Sequence, residues 1–426
     1  DERDKNNVKI TNKTIEMKDI SFTEQMRKEY TILCPQMSPI HFDIAQEALR
    51  LSGYKLTVLP SIDNGAIEEG LKYVNNDACY PAILTLGQII EALKSGKYDL
   101  NKTAVAITQT GGGCRATNYI GFLRKALKDA GMEDIPVISV NTVGIEKNPG
   151  FKLTPLLTIK SVMALVYGDV LMKVLYRVRP YEVEKGSADK LYKKWSDICK
   201  KSLKSKSMWF FNNNIRNMIK DFDHIKINDK IKPRVGLVGE ILVKYHPTAN
   251  NNIIEVLENE GVEVVVPDLL DFFLYCLHEA EFKRKHLTGT LSKVIISKIG
   301  IKAINLFRKQ YIKSTKISER FTPPKPIEEI AKGASRILSL GHNTGEGWFL
   351  AGEMVELLEE GVNNILCMQP FACLPNHVTG KGVIKEIKRH YKKANISAID
   401  YDPGASCVNQ LNRIKLMLNG AFEDIT

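Results

Sequence analysis

The chain has 426 residues and lacks the cysteine spacing that would decide its chemistry at once. Its eight cysteines form no Cys-x-x-Cys pair, which excludes the usual zinc-finger arrangement. The net charge is +11, but no recognised nucleic-acid motif and no alternation of aromatic with basic residues accompanies it. A lysine-rich solvated surface or an anionic partner therefore accounts for the charge, and we expect no nucleic-acid ligand.

Long apolar segments are also missing. No run approaches the roughly 20 apolar residues that are needed to cross a bilayer. The opening sequence, DERDKNNVKITNK, is charged and has no apolar core of a secretory signal. We therefore expect a cytoplasmic protein without membrane association. Disulfides are rare in that compartment, so the cysteines are expected to be buried thiols, catalytic groups or metal ligands.

Short apolar strands alternate with amphipathic helices in two stretches, 30–149 and 233–426. This alternation predicts an α/β fold with two flavodoxin- or Rossmann-like lobes, each built on a parallel sheet. Asn141 follows Cys114 by 27 residues, and Asp400 follows Cys373 by the same distance. The lobes are therefore predicted to be related by internal duplication.

The remaining segments carry other signals. Residues 1–29 are predicted to be an N-terminal extension or linker, and 150–232 a helical linker domain poor in strand signals. A helical insertion is predicted at about 278–320 in the second lobe, before the proline-rich TPPKPIEE. The segment RILSLGH, at 336–342, predicts an extra strand.

Three cysteines fall where parallel sheets usually hold ligands, beyond the carboxyl ends of the strands. Cys114 follows a predicted strand in QTGGGCR, and Cys373 follows the equivalent strand of the second lobe. Cys79 begins a predicted helix in NNDACYP. Thiolates at a cleft between lobes suit an iron–sulfur cluster. Buried small hydrophobic side chains remain the alternative, because free cysteine is commonly buried.

The neighbours of these cysteines suit an anionic group. Gly111, Gly112 and Gly113 allow a sharp turn with exposed N–H groups and close approach of the backbone. Arg115 is a candidate to bind an anionic substrate or to stabilise the cluster. We therefore predict that these four residues help to bind a cofactor.

Three further residues are predicted to take part in catalysis. His246 and His377 lie in loops near strand ends and are candidate proton donors, although either also fits a structural loop histidine. Glu346 occupies in the second lobe the place that Cys79 holds in the first. A carboxylate at a helix start also suits a capping role.

Six long motifs carry a family resemblance: NNDACYP, QTGGGCRATNY, VGEILVKYHPTANN, GEGWFLAGEM, QPFACLPNHVTGKG and YDPGASCVNQLNR. From about residue 28 onward, the chain resembles the 2-hydroxyacyl-CoA dehydratase family. The branch that it resembles most is called CoA-activase-associated or double-cubane-cluster proteins, and benzoyl-CoA reductase subunits are related to it.

The resemblance implies a 4Fe–4S cluster on three cysteines that match Cys79, Cys114 and Cys373. It also implies an ATP-hydrolysing activator, separate or fused, that carries its own 4Fe–4S cluster and supplies low-potential electrons. The expected protein is an anaerobe's homodimer that acts on a 2-hydroxyacyl-CoA or reduces a small molecule. A non-catalytic electron-transfer or cluster-carrier module, or a structural module of a fused activator, remains the alternative.

Three other cysteines leave the size of the cluster open. Cys34, Cys276 and Cys407 fall near the same strand ends and would bring the number of thiolates to six. Six thiolates are what an 8Fe–9S double cubane, the second cofactor that the resemblance implies, would need. Cys276 is the weakest of the three candidates because its segment also fits a helix. Cys367 and Cys199 are expected to be structural.

Overall fold

The computed structural model describes residues 20–60, 65–110, 112–141, 146, 148–205 and 207–423. These residues form two four-stranded parallel sheets, which confirms the predicted α/β class. The strands in chain order are β1 Thr31–Cys34, β2 Lys55–Val58, β3 Thr103–Thr108, β4 Val137–Val140, β5 Arg234–Gly239, β6 Glu263–Val265, β7 Asn364–Pro370 and β8 Asn395–Tyr401.

The helices cover both faces of the sheets, which explains why the strands are apolar on both sides. The helices are α1 Glu24–Glu29, α2 Pro39–Arg50, α3 Gly65–Tyr73, α4 Tyr80–Lys94, α5 Tyr119–Asp129, α6 Pro155–Val178, α7 Ser187–Ser202, α8 Met208–Asp223, α9 Ile241–Tyr245, α10 Ile253–Asn259, α11 Leu269–His286, α12 Leu291–Ile317, α13 Ile327–Ala334, α14 Trp348–Glu359, α15 Leu374–Thr379, α16 Ile384–His390 and α17 Cys407–Glu423.

The two sheets share one topology. Their strand orders are β2-β1-β3-β4 and β6-β5-β7-β8, so corresponding strands occupy corresponding places. In each lobe the chain crosses from one side of the first strand to the other, and ligands usually bind at this switch point. The switch lies between β1 and β3 in one lobe and between β5 and β7 in the other.

Helices α6, α7 and α8 form the region between the lobes, and their apolar faces share one core with α2. The segment Pro155–Tyr181 is long and apolar enough to span a bilayer, with a mean hydropathy of 1.4 in its best window. This corrects the expectation that no segment approaches that length. Because 61% of the window is buried inside the protein, it matches the core helix of a soluble protein.

The predicted helical insertion is a hairpin of α11 and α12 that begins at Leu269, earlier than expected. Its base is held by Arg308, whose guanidinium donates to Asp271 over 2.8 Å and to Asp268 over 3.1 Å. The arginine is 2% exposed. A buried arginine needs such partners, because an isolated charge is costly to remove from water.

Two parts of the chain differ from what its sequence suggests. The segment RILSLGH forms no strand, so that prediction is wrong. The N–H groups of Ile337 and Leu338 instead donate to Ala334 O and close the end of α13. Of the expected extension 1–29, residues 1–19 lie outside the described part. Phe22 is fully buried in the core of the first lobe, and its carbonyl accepts from Gly150 N over 2.8 Å.

Candidate functional site

Three cysteines lie near one another where the two lobes touch. Cys79 is the residue before α4, Cys373 is the residue before α15, and Cys114 precedes a short 3-10 turn after β3. The N–H of Tyr80 donates to Phe371 O over 3.1 Å, so the backbone next to Cys79 is bonded to the loop that leads into Cys373. The structure therefore places the predicted set at the junction of the lobes.

The loop that carries Cys114 approaches the second lobe closely. A Cβ on Gly113 would lie 3.3 Å from the methyl carbon of Thr344, so glycine allows this approach. Gly112 has a φ of +89°, a conformation that glycine adopts at little cost. Both glycines are exposed, whereas Gly111 lies outside the described residues.

All three thiols are more difficult to ionise than a free cysteine. Burial is the main cause, and it raises the pKa of Cys79, of Cys373 and of Cys114, the last to about 11. The charge of Cys79 also raises the pKa of the other two, which shows that the thiols share one electrostatic environment. The Cys79 sulfur lies 3.1 Å from the hydroxyl of Tyr119.

Two carboxyl groups lie beside the thiols, and Glu240 was not among the residues predicted from sequence. Glu240 Oε2 accepts from Val243 N over 3.0 Å, and Glu346 Oε1 accepts from Ile241 N over 3.1 Å. Burial and the charge of Glu346 raise the pKa of Glu240 to about 8. Both carboxyls raise the pKa of Cys114 and of Cys373, so the pair faces the cysteine site.

A buried ion pair lies next to these carboxyls. Lys244 Nζ donates to Glu353 Oε1 over 2.6 Å, and the two side chains are 3% and 1% exposed. The positive charge of Lys244 lowers the pKa of Glu240, against the larger effect of burial. Three carboxyls, including that of Glu353, share the one ammonium group of Lys244. Burial penalises excess charge, so at least one of the carboxyls is expected to hold a proton at neutral pH.

Glu240 could have been found from the duplication. It directly follows β5 as Gln36 follows the end of β1, in the matching sequences VGE and CPQ. The signal was the acidic residue at the switch point of the second lobe, where a polar amide stands in the first.

A second difference between the lobes concerns a buried amide. Gln109 directly follows β3, donates to Thr117 O over 3.0 Å and accepts from Ser139 Oγ over 2.7 Å. Its counterpart Gln369, four residues before Cys373, is fully buried, and neither amide atom has a hydrogen-bond partner among the described residues. Such a group costs about 1–3 kcal/mol, which an ordered water or a bound group could recover.

The predicted catalytic histidines differ in their surroundings. His246 is fully buried, and its Nε2 lies 2.7 Å from the Gln88 amide of the first lobe. Burial lowers the pKa of His246 to about 4, so the ring is neutral at physiological pH. His377 is exposed on α15, one turn beyond Cys373. The predicted catalytic role of both histidines stays a prediction. Because His377 is exposed and His246 is not, His377 is the better placed to contact a substrate.

Arg115 is already engaged. Its guanidinium donates to Asp77 O and so ties the Cys114 loop to the loop before Cys79. Its guanidinium is therefore bonded to the protein itself, between the two loops that lead to these thiols.

The three additional cysteines lie on other segments, and two of them are near groups of this site. Besides burial, the charge of Glu346 raises the pKa of Cys276, and the charge of Cys407 raises the pKa of Tyr80, the residue after Cys79. Cys34 is half-buried, and its thiol donates to Pro35 O over 3.6 Å. Cys276 lies inside α11 and is exposed, and Cys407 is exposed at the start of α17. Helix α11, which carries Cys276, approaches the site, because the hydroxyl of Tyr275 donates to Gly345 O over 3.0 Å.

The donor set, three cysteine thiols that share one electrostatic environment, is the kind that an iron–sulfur cluster uses. Within the described residues, no three His, Cys, Asp or Glu side chains lie close enough to hold one metal ion. A single zinc ion would draw every sulfur to about 2.3 Å. An iron–sulfur cluster binds each thiolate on a different iron, so its ligands stand farther apart, and three thiols with an unpaired amide nearby suit it.

No protein-family model matches this chain, and a search of curated proteins finds no match either.

Proposed function

We propose that this protein is an iron–sulfur reductase or dehydratase component of the 2-hydroxyacyl-CoA dehydratase type. The observation that carries the proposal is the meeting of three buried or half-buried thiols at the junction of the lobes, two from one lobe and one from the other. Both lobes present the carboxyl ends of parallel strands there, where such folds usually bind ligands.

Cys79, Cys114 and Cys373 would hold the cluster, which supplies one-electron chemistry when it is bound. Each thiol would lose its proton on binding, because the thiolate is the ligand. The raised pKa values favour loading from protonated thiols with proton release. The exposed loop at Gly112 and Gly113 offers backbone N–H groups to an anionic cluster.

The chain's own residues also hold a proton near the place of reduction. Glu240 and Glu346 are both less than 10% exposed, and Glu240 is mostly protonated at neutral pH. A carboxylic acid in a dry site can donate a hydrogen bond or a proton to a group that gains negative charge. This suits a substrate whose carbonyl or multiple bond accepts an electron.

An ATP-hydrolysing activator with its own 4Fe–4S cluster, separate or fused, is the proposed electron donor. Phe371, Leu374 and Val378 are 42%, 71% and 46% exposed beside Cys373. Exposed apolar groups close to a buried redox site suit transient docking of such a partner. We place the protein in the cytoplasm as a homodimer and expect either an acyl-CoA or a small molecule as substrate.

The double-cubane alternative needs three more thiolates than a single cluster. Cys34, Cys276 and Cys407 would supply them, and two of these thiols are exposed. The iron content of the protein distinguishes the two cofactors.

Iron and sulfide analysis after anaerobic purification tests the proposal. We expect about four irons per chain for one cluster, whereas about eight would support the double cubane. Cys79→Ala, Cys114→Ala and Cys373→Ala should each lower the iron content and the electron paramagnetic resonance signal of the reduced protein. Cys199→Ala, which removes an equally buried thiol in α7, is the matched control and should retain both. A folded wild-type protein without iron would overturn the proposal.

A further inference from the structure

A second set of reactive side chains lies away from the cysteines. Ser38 Oγ is 2.7 Å from His41 Nδ1, and His41 Nε2 is 2.9 Å from Asp169 Oδ1. Ser38 is 3%, His41 0% and Asp169 1% exposed. A serine bonded to a histidine that is oriented by a carboxylate pairs a nucleophile with its base. The two ring nitrogens have the opposite roles from those in the familiar serine–histidine–aspartate triad, where Nε2 faces the serine.

The contacts suit one assignment of the protons. With Asp169 ionised and the imidazole neutral, the carboxylate accepts from His41 Nε2, and Nδ1 presents its lone pair to the Ser38 hydroxyl. Asp169 is itself held by the N–H groups of Leu269 and Leu270, at 2.7 and 3.3 Å. The ring of His41 is seated against Gly168, where an added Cβ would come within 2.2 Å of its Cδ2.

Ser38 does not make the capping hydrogen bond that a serine directly before a helix normally makes. Ser38 precedes α2, yet its side chain makes no hydrogen bond to the helix N–H groups. A capping serine typically contributes about 1 kcal/mol through that bond. The hydroxyl of Ser38 is directed to the imidazole instead, so helix capping does not explain it.

Ser38 also borders an open space. A cavity of about 380 Å³ lies between the two lobes and the helical linker, and Ser38 is part of its wall. Ile40 and Met172 line its apolar side, and Tyr176, Tyr192 and Lys193 also line it. Their hydroxyl and ammonium groups give the cavity polar donors beside its apolar wall. Pockets of this size at domain junctions commonly bind small molecules.

We propose that Ser38, His41 and Asp169 form a second catalytic site that hydrolyses a small acyl ester or thioester. Ser38 Oγ attacks the carbonyl carbon while its proton passes to His41. The bond to the leaving alcohol or thiol breaks, and that group takes the proton from His41. Water then attacks the acyl-serine and gives its proton to His41, which returns it to Ser38 as the carboxylic acid leaves. The site is independent of the proposed cluster.

A fluorophosphonate probe on the full chain tests the inference, because it reacts covalently with activated serines. We expect one label per chain, located on the peptide that contains Ser38, and turnover of p-nitrophenyl acetate. Ser38→Ala should abolish both, and His41→Gln should slow labelling by about a hundredfold, as expected for loss of a general base. Iron content should not change in Ser38→Ala.

Ser207→Ala is the matched control, since Ser207 also precedes a helix without capping it, and it should label as wild type does. The wild-type protein is the decisive sample because it carries no folding risk. A folded wild-type chain that takes no label on Ser38, or equal labelling of Ser38→Ala, would overturn the inference.

Discussion

At the scale of single residues, Glu240 and Glu346 are the buried carboxyls that would carry protons at the proposed site. The pKa of Glu240 is about 8, above the 4.5 of an ordinary glutamate, mainly because the side chain is buried. The folded protein therefore holds this proton at pH values where the unfolded chain has released it. Stability from this group is fully present below about pH 4.5 and is lost as the pH rises toward 8.

Glu240→Gln should remove that part of the pH dependence. Relative to wild type, the variant's free energy of unfolding should rise between pH 5 and 8, by at most about 1.4 kcal/mol per pH unit. Denaturant titrations across that range measure it. Glu319→Gln, at an exposed position, is the control and should follow wild type. Parallel curves for Glu240→Gln and wild type would show that Glu240 is ionised in the folded protein.

The cysteines were predictable from sequence and Glu240 was not, for a physical reason. A thiol in the loop that follows an apolar strand, as in Cys114 and Cys373, is brought to the edge of the sheet by that strand. Two carboxyls 106 residues apart interact only because α9 and the start of α14 are packed together. No local sequence pattern shows that Glu240 and Glu346 are neighbours in space. The correspondence of Glu240 with Gln36 did indicate that Glu240 lies at the switch point of its lobe.

At the scale of helices, the crossing of α3 and α4 depends on two glycines. A Cβ on Gly87 would lie 1.7 Å from Ala66 O, and one on Gly70 would lie 2.1 Å from Ile83 O. This close packing positions the helix that begins directly after Cys79. Alanine favours a helix over glycine by about 1 kcal/mol, but here the backbone contact decides.

Gly87→Ala should therefore destabilise the protein by about 2–4 kcal/mol, as overpacking and backbone shifts do. Gly121→Ala is the matched substitution, inside α5 with nothing within 4 Å of the new methyl, and should stabilise by up to about 1 kcal/mol. Thermal unfolding of the two variants gives the comparison. Equal effects would contradict the close crossing.

At the base of the α11–α12 hairpin, substitutions at two adjacent residues, one buried and one exposed, can be compared. Arg308→Met leaves Asp268 and Asp271 buried without their cation and should cost about 3–5 kcal/mol. Lys309→Met changes the next, exposed residue and should stay within about 0.5 kcal/mol. Urea unfolding would reveal the difference. A small cost for Arg308→Met would mean that water reaches the two aspartates.

The helices and strands were predictable because the spacing of apolar residues along the sequence indicates which side chains are buried. The errors occur in segments where apolar spacing does not indicate the secondary structure. RILSLGH has the apolar residues of a strand, but Ile337 and Leu338 pack below the end of α13 without a strand partner. The hairpin was expected from 278 because its first turns, from Leu269, contain an apolar run that resembles the preceding strand.

At the scale of the whole molecule, the equal topology of the sheets is what the spacing of Cys114 and Cys373 predicted. The contacts that join the lobes were not predictable, because they arise from side chains distant in sequence. Gln88 of α4 is the clearest of them: its Oε1 accepts from Gln36 N over 3.0 Å, and its Nε2 lies 2.7 Å from His246 Nε2.

This contact should make the junction of the lobes sensitive to acid. Burial lowers the pKa of His246 from 6.5 to about 4, so the unfolded chain takes up a proton before the folded protein does. The stability that His246 contributes is present above pH 6.5 and is lost as the pH falls toward 4. His246→Gln keeps a neutral hydrogen-bonding group without a titration and should flatten this slope, whereas the exposed His286→Gln should not. Unfolding free energies from pH 7 to 4 measure the slope, and small-angle scattering at the same pH values reports whether the lobes separate. If His246→Gln keeps the full wild-type slope, protonation elsewhere governs the acid response, and the Gln88 contact does not connect the lobes energetically.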